Sequence, residues 1–169
     1  MRQADGSVLL LLFLAILQGC YSFSGASLPV QIKTIAIPVF EDRSGAGIAP
    51  FRAELTKALV NRIESQSALR VTPSIARADA LLEGVIISFS DAPSQLSSTT
   101  ERALKNRITI VVQVTLADRA NKESIFSQYC VGFADYAVGN SAAQQEAIRF
   151  SLNQISDDIF DRIVSGWQE

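Results

Sequence analysis

Apolar and polar residues alternate most regularly between residues 107 and 117, where nearly every second side chain is aliphatic. This two-residue period is that of a β-strand with one buried face and one solvated face. Residues 80–89 form an apolar run typical of a central strand, and residues 125–136 predict the strand that returns after a turn at 118–122. Cys130 is predicted to lie on the polar face of this returning strand. Its core-facing residues are predicted to be Ile125, Tyr129, Val131 and Phe133.

Two other segments carry the spacing of apolar residues that is typical of an amphipathic helix. The first covers residues 48–66. The second runs from residue 141 to about residue 164, and Ser141 and Gln144 match a capping box at its start. The residues predicted to form the two buried stripes are Phe51, Leu55, Leu59 and Ile63 in the first helix, and Ile148, Leu152, Ile155, Ile159 and Ile163 in the second.

Three shorter segments complete the predicted domain. Residues 32–40 predict an opening strand that contains Pro38, which has no backbone N–H to donate, and residues 69–71 predict a short strand. Residues 91–106 are polar and show no period, so they predict a long hairpin connection.

This order of elements favours an α+β fold, a two-layer sandwich with two helices packed on one face of a mixed sheet of about four strands. Each predicted strand has an apolar face and each predicted helix an apolar stripe, and packing them together buries both. The residues predicted on the other, polar face of the sheet are Thr34, Thr109, Gln113, Thr115 and Gln128.

The start of the chain has the pattern of a secretory signal. Arg2 precedes an apolar run that ends near Leu17, and this run is shorter than the ~20 residues that a membrane-spanning helix needs. A buried core helix is the alternative interpretation of such a run. Residues 17–20, Leu-Gln-Gly-Cys, resemble the bacterial lipobox.

This resemblance implies cleavage after residue 19 and attachment of lipid to Cys20, which would anchor the protein in a membrane. Tyr21, and not Asp, follows the cysteine, which by the same resemblance favours the outer membrane of a Gram-negative bacterium, on its periplasmic side. We therefore predict a signal peptide at 1–19, a lipidated tether at 20–31 and a single domain at 32–167.

Composition excludes many function classes. The 169 residues include no histidine and two cysteines, which removes His-dependent nucleophilic catalysis and the usual zinc sites. The net charge of −2 argues against a nucleic-acid partner. Gly45-Ala46-Gly47 does not complete a phosphate-binding motif, because Pro50 stands where the third glycine would be. We expect no enzyme activity, no metal and no cofactor.

Several basic residues lie near the two ends of the predicted strand 107–117. Arg102, Lys105 and Arg107 lie in or beside the predicted connection 91–106, whereas Arg119 and Lys122 lie in the turn after the strand, so two separate clusters are predicted. Charge at loop tips usually serves solubility. The alternative is contact with a phosphorylated lipid head group, which arginine binds by paired hydrogen bonds and lysine as a point charge.

Several stretches together resemble the LptE family of lipopolysaccharide-assembly lipoproteins. They are residues 19–25 (GCYSFSG), 33–44 (KTIAIPVFEDRS), 82–86 (LEGVI), 107–110 (RITI) and 164–167 (VSGW). The resemblance covers nearly the whole chain, and the family fold, an α/β sandwich, agrees with the predicted layout.

The resemblance implies a non-catalytic function with lipopolysaccharide and an LptD-type outer-membrane β-barrel as partners. Members of the family sit inside the barrel, help it assemble and assist delivery of lipopolysaccharide to the outer leaflet. On chemical grounds, we predict that the phosphates of lipid A contact Lys105, Arg107, Arg119 and Lys122.

A second resemblance leaves an alternative open. Residues 35–45 are also similar to the opening of CsgG-like lipoproteins and of lipoproteins that activate cell-wall synthases. The partner distinguishes the two readings: a barrel in the first case, and a homo-oligomer or a synthase in the second.

Overall fold

The computed structural model describes residues 31–47, 49–96, 98 and 103–165. No helix within these residues is long and apolar enough to cross a membrane. A single 3₁₀ turn occupies Ile75–Arg77. In chain order, the strands and α-helices are β1 (Thr34–Ala36), β2 (Glu41–Asp42), α1 (Ala49–Gln66), β3 (Arg70–Val71), β4 (Ala80–Leu96), β5 (Ala103–Asp118), β6 (Glu123–Ala137) and α2 (Ser141–Ser165).

The six strands form one mixed sheet in the order β3-β1-β4-β5-β6, with β2 also paired to β4. Strand β1 pairs in parallel with β3 on one side and with β4 on the other, and β2 pairs in parallel with β4. Strands β4, β5 and β6 form an antiparallel meander. Both helices pack on one face of this sheet. The predicted α+β sandwich is confirmed, although the sheet has six strands and not about four.

The predicted strand 32–40 is broken in two, which accounts for part of this difference. The chain leaves the sheet after Ala36, passes Pro38 and pairs again as β2. In this break Phe40 turns into the core, 1% exposed, and its N–H donates to the Thr56 hydroxyl of α1 at 3.1 Å. The ring lies directly over Gly84, where any side chain would overlap it.

The core lies between the helices and the inner face of the sheet. The predicted stripes of α1 and α2 are confirmed, with Phe51 half-buried and the other members buried. The alternation in β5 is confirmed as well. Its buried aliphatic residues are Ile108, Ile110, Val112, Val114 and Leu116.

The predicted facing of β6 was wrong. Tyr129, Val131 and Phe133 are 59%, 50% and 48% exposed, whereas Cys130 is buried in the core. The reason is the close approach of α2, which leaves no room for a side chain at Gly132. Around Gly132, the small residues Cys130 and Ala134 therefore face the helix, and the large ones are directed to the open face of the sheet.

Gln128 was also predicted on the wrong face. It lies on the helix side of β6, where its amide oxygen accepts a hydrogen bond from Arg162 of α2. Arg162 is held in turn by Asp158, one turn earlier, through two hydrogen bonds of 2.7 and 3.1 Å. The Gln128 side chain therefore joins β6 to α2 and does not lie on the outer face of the sheet.

The predicted connection 91–106 was wrong as well. Strand β4 continues to Leu96 and β5 begins at Ala103, so most of this segment is a paired hairpin. Its β4 residues from Ser90 to Leu96 are all exposed. The hairpin extends past the helix layer, so it has no buried face to impose an apolar period.

The start of α2 differs from the predicted capping box. The Asn140 side chain caps the helix, because its amide oxygen accepts the N–H of Ala143 at 3.0 Å. Gln144 instead donates to Asp91 of the hairpin at 2.7 Å. The glutamine therefore joins the helix to the sheet, a long-range role that local sequence does not reveal.

Candidate functional site

The four basic residues predicted to bind lipid phosphate lie at opposite ends of β5. Lys105 and Arg107 are in the strand where it enters the long hairpin, and Arg119 and Lys122 are in the turn that follows its other end. All four are exposed. We call the first pair the hairpin cluster and the second pair the turn cluster.

Arg107 of the hairpin cluster already has an anionic partner. Its guanidinium donates to both carboxylate oxygens of Asp135 at 2.7 and 3.0 Å, and it lies over the ring of Phe133 at 5.0 Å. The hydrogen bond lowers the pKa of Asp135 and raises the pKa of Arg107. Asp135 therefore fixes the orientation of the Arg107 guanidinium and neutralises much of its charge. Of the two cations in the hairpin cluster, Lys105 is the one less engaged with an anion.

A polar network at the base of the hairpin holds it against α2. Asp91 accepts the Tyr136 hydroxyl at 2.6 Å and the Asn106 amide at 2.9 Å, in addition to the Gln144 amide. Desolvation and the bond to Asp91 both raise the pKa of Tyr136. The network fixes where the hairpin leaves the body of the domain, and thereby the position of the hairpin cluster.

The turn cluster rests on Asp118. This carboxylate accepts the N–H groups of Ala120 and Asn121 at 2.8 and 3.2 Å and the Asn121 amide at 2.9 Å. Lys122 takes a positive φ of 57° to close the turn. The turn is therefore rigid at its base, while the Arg119 and Lys122 side chains remain exposed.

The turn cluster lies beside the point where the N-terminal segment joins the domain. The N–H of Arg119 donates to the Asp79 carbonyl at 2.9 Å. The Asp79 carboxylate accepts the N–H of Lys33 at 3.0 Å and both the N–H and the hydroxyl of Thr34 at 2.8 Å, which lowers its pKa. The tether side of the domain and the turn cluster are thus at one end, opposite the hairpin.

Other predicted features lie outside the described residues or have local roles. Cys20 and the predicted tether up to residue 30 are outside the described part of the chain. In the glycine loop, Gly45 and Gly47 adopt φ of 72° and 67°, and the Asp42 carboxylate accepts the N–H and hydroxyl of Ser44 at 2.9 and 2.6 Å. These bonds are those of an ordinary turn.

Sequence reasoning missed the exposed apolar residues on the outer face of β6. Tyr129, Val131 and Phe133, which we call the edge stripe, stand on the last strand of the described sheet. On the helix side of the same strand lies a groove of about 560 Å³ between β6 and α2, lined in part by Ala143, Ala147 and Phe150. The sequence does carry one indication of this arrangement, because the small residues Cys130 and Gly132 alternate with the large residues of the edge stripe.

Cys130 is expected to be unreactive in the folded protein. It is fully buried, and burial together with the nearby charge of Asp158 raises its pKa to about 12. Because the thiolate is the reactive form, alkylation at pH 8 should be at least ~1000-fold slower than in the unfolded chain. The test is peptide-resolved mass spectrometry after iodoacetamide, with guanidinium-unfolded protein as control. Comparable rates would show that the site opens readily.

Comparison with protein families matches the LptE family, described as lipopolysaccharide-assembly, over residues 32–163. No curated protein sequence matches the chain significantly. Among solved structures, the chain resembles a Xanthomonas campestris protein of the DUF330 family, with 13% identity, 83% of this chain and 91% of that chain covered, and a TM-score of 0.60.

Two further solved structures share the fold. An uncharacterized lipoprotein B from Nitrosomonas europaea has 16% identity, with 83% of this chain and 86% of that chain covered and a TM-score of 0.59. A minor lipoprotein from Acinetobacter baumannii has 12% identity, with 83% and 100% covered and a TM-score of 0.51. The family match spans both helices and all six strands. The chain therefore belongs to the LptE family of lipopolysaccharide-assembly proteins.

Proposed function

We propose that this protein is a non-catalytic outer-membrane lipoprotein that occupies the lumen of an LptD-type barrel, helps the barrel assemble and assists delivery of lipopolysaccharide to the outer leaflet. The observation that carries the proposal is the family match over residues 32–163. The lipobox at residues 17–20 supplies the proposed anchor.

The dimensions of the domain suit a position inside a barrel. The 16 residues of β5 extend over about 50 Å at ~3.3 Å per residue, which exceeds the ~30 Å hydrocarbon core of a bilayer. With the tether at the turn end, the hairpin end would lie toward the outer leaflet. The turn cluster would then lie on the periplasmic side of the membrane.

This orientation assigns the two clusters to different stages of lipopolysaccharide transfer. Arg119 and Lys122 would meet lipid A phosphates as lipopolysaccharide arrives from the periplasm. Lys105 and Arg107 would meet them near the outer leaflet. In the hairpin cluster Arg107 contributes a guanidinium already oriented by Asp135, and the side chains of Leu96 and Leu104, which are exposed in the same hairpin, would meet acyl chains.

Removing the positive charges should weaken lipopolysaccharide binding without unfolding the domain. We expect the quadruple variant with Lys105, Arg107, Arg119 and Lys122 replaced by alanine to bind purified lipopolysaccharide at least ~10-fold more weakly, since charge-assisted contacts to phosphate are lost. The measurement is a binding titration of the purified protein together with its thermal melting curve.

Two controls make this result interpretable. Arg52→Ala/Lys57→Ala removes two exposed charges from α1 and is expected to bind as the wild type does. Arg107→Ala also uncovers the charge of Asp135, so Arg107→Ala/Asp135→Ala separates lost attraction from added repulsion. Unchanged binding by the quadruple variant would remove the assignment of these four residues.

The barrel partner is tested separately by crosslinking and affinity purification from native outer membranes. Recovery of an LptD-type barrel supports the proposal. Recovery of a homo-oligomer or a cell-wall synthase in its place would favour the alternative lipoprotein classes.

A further inference from the structure

Strand β6 is an open edge of the sheet. In the described part of the chain it pairs with β5 alone. Natural edge strands are usually shielded by lysine, proline or a bulge. Across its fifteen residues β6 contains no Lys, Arg or Pro, and its pairing with β5 is regular from Lys105 to Leu116. The middle of β6, from Ser127 to Ala134, therefore lacks the lysine, proline and bulge that usually prevent the addition of another strand, although Asp135 and a bulge between Ser124 and Phe126 lie toward its ends.

The backbone of β6 presents hydrogen-bonding groups to this open side. The N–H of Phe133 points away from β5, because it donates to the Gln154 side chain of α2 at 2.8 Å. In an antiparallel ladder every second residue points the same way, so Tyr129 and Val131 also direct their N–H and C=O groups outward. No side chain or loop backbone among the described residues bonds the N–H of either residue.

Apolar surface lies on both sides of this edge. The edge stripe covers the outer face, and the 560 Å³ groove continues from Phe133 of that stripe to α2, where Phe150 is 56% exposed and Glu146 adds a charge. A strand added here would direct alternate side chains to the stripe and to the groove. The site thus offers main-chain bonds and apolar contacts together.

We propose that the β6 edge binds an extended segment of the barrel partner as an added β-strand. This inference rests on the proposed role in barrel assembly and identifies the surface that would perform it. During assembly, an unpaired barrel strand has free main-chain groups and alternating apolar side chains, which match what the β6 edge presents. Gln154 would accept the Phe133 N–H only until a carbonyl of the added strand replaces it.

A second copy of this chain does not fit the same edge. Helix α2 lies over β6, since Ser151 contacts Gly132 and Gln154 reaches past the strand. In an antiparallel pair of β6 strands about 4.8 Å apart, the two α2 helices would lie on the same face of the joined sheet, each beside its own β6, where packed helices need 8–10 Å between their axes. The occupant is therefore a strand without its own covering helix.

A proline at the centre of the edge tests the proposal. Val131→Pro removes one outward N–H, and an edge strand tolerates proline at such a position. Val131→Thr keeps the N–H and the strand propensity, and serves as the matched control. We expect Val131→Pro to reduce barrel recovery from native membranes at least ~10-fold and Val131→Thr to change it less than about twofold.

Hydrogen exchange on the wild-type complex gives a second measurement that needs no substitution. The amides of Tyr129 and Val131 should exchange at least ~10-fold more slowly in a complex with a barrel captured before it closes than in the free protein, because they become hydrogen-bonded. The exposed turn at residues 119–122 is the internal control and should not slow to the same extent. Gln154→Ala, which uncovers the Phe133 N–H, should recover at least as much barrel as the wild type.

The outcomes separate this inference from the proposed function. If wild-type protein recovers no barrel, both fail. If Val131→Pro recovers as much barrel as Val131→Thr, or if the two amides exchange at the same rate free and bound, strand addition is wrong while the barrel partnership stands. Should Val131→Pro melt at a much lower temperature, the exchange measurement decides. Loss of barrel with Gln154→Ala would also contradict the inference.

Discussion

Replacing Cys20 by serine is expected to move the protein from the membrane fraction to the soluble periplasmic fraction. The lipobox at residues 17–20 predicts that this cysteine carries the acyl chains. Each buried CH₂ contributes about 0.8 kcal/mol, so several chains on one residue make release from the membrane very slow. A serine offers no thiol for the first acyl transfer.

Fractionation of cells and intact-mass measurement of the purified protein test this expectation. Cys130→Ser is the matched control, because it removes the other, buried thiol and should leave the protein membrane-bound. A wild-type mass without acyl chains would contradict the anchor. A Cys20→Ser protein that has lost residues 1–19 and still stays in the membrane after a high-salt wash would contradict the expectation that lipid is what holds it there. The second result would point to retention through the barrel partner alone.

Replacing Gly132 by alanine is expected to destabilise the domain by about 3 kcal/mol, an effect in the upper range of overpacking substitutions. A Cβ at this position would overlap the backbone carbonyl oxygen of Ser151 and lie 3.0 Å from Cγ1 of Ile155. Backbone atoms cannot rotate away as a side-chain end can. Helix α2 would have to move off the sheet, which separates Ile155 and Leu152 from the core.

Thermal or denaturant unfolding measures the change, and a loss of about 3 kcal/mol corresponds to roughly 6–12 °C in Tm for a domain of this size. Gly139→Asn is the matched control, because nothing lies within 4 Å of a Cβ there and asparagine tolerates its φ of +82°. If Gly132→Ala and Gly139→Asn melt within about 2 °C of each other, the contact between β6 and α2 is looser than described.

The difference between β5 and β6 shows how far the sequence pattern can be trusted. In β5, five aliphatic residues alternate with residues that are polar except for Val111, so the buried face is evident from the sequence pattern alone. In β6, both faces carry apolar residues, and the larger set is the exposed one. Side-chain size is a poor guide here because α2 approaches so closely at Gly132 that the buried face must be small.

The hairpin illustrates a second limit of the same kind. Polar residues without a period usually indicate a loop, yet residues 91–96 pair with residues 103–108, with two irregularities of register between Pro93 and Leu96. A strand shows an alternating pattern when one face is buried and the other is wet. Where the hairpin passes beyond the helices both faces are wet, and the signal disappears although the hydrogen bonds remain.

The sequence by itself determined the two helices, the β5 strand, the two-layer architecture, the separation of the basic residues into two clusters and the family resemblance. All of these depend on local periodicity or on the order of residues along the chain. Tertiary structure alone decided which face of β6 is buried, how the hairpin is held through Asp91 and that Arg107 is paired with Asp135. Those features arise from contacts between residues 15 to 53 positions apart, and the residue types at such separations do not reveal that folding brings them together.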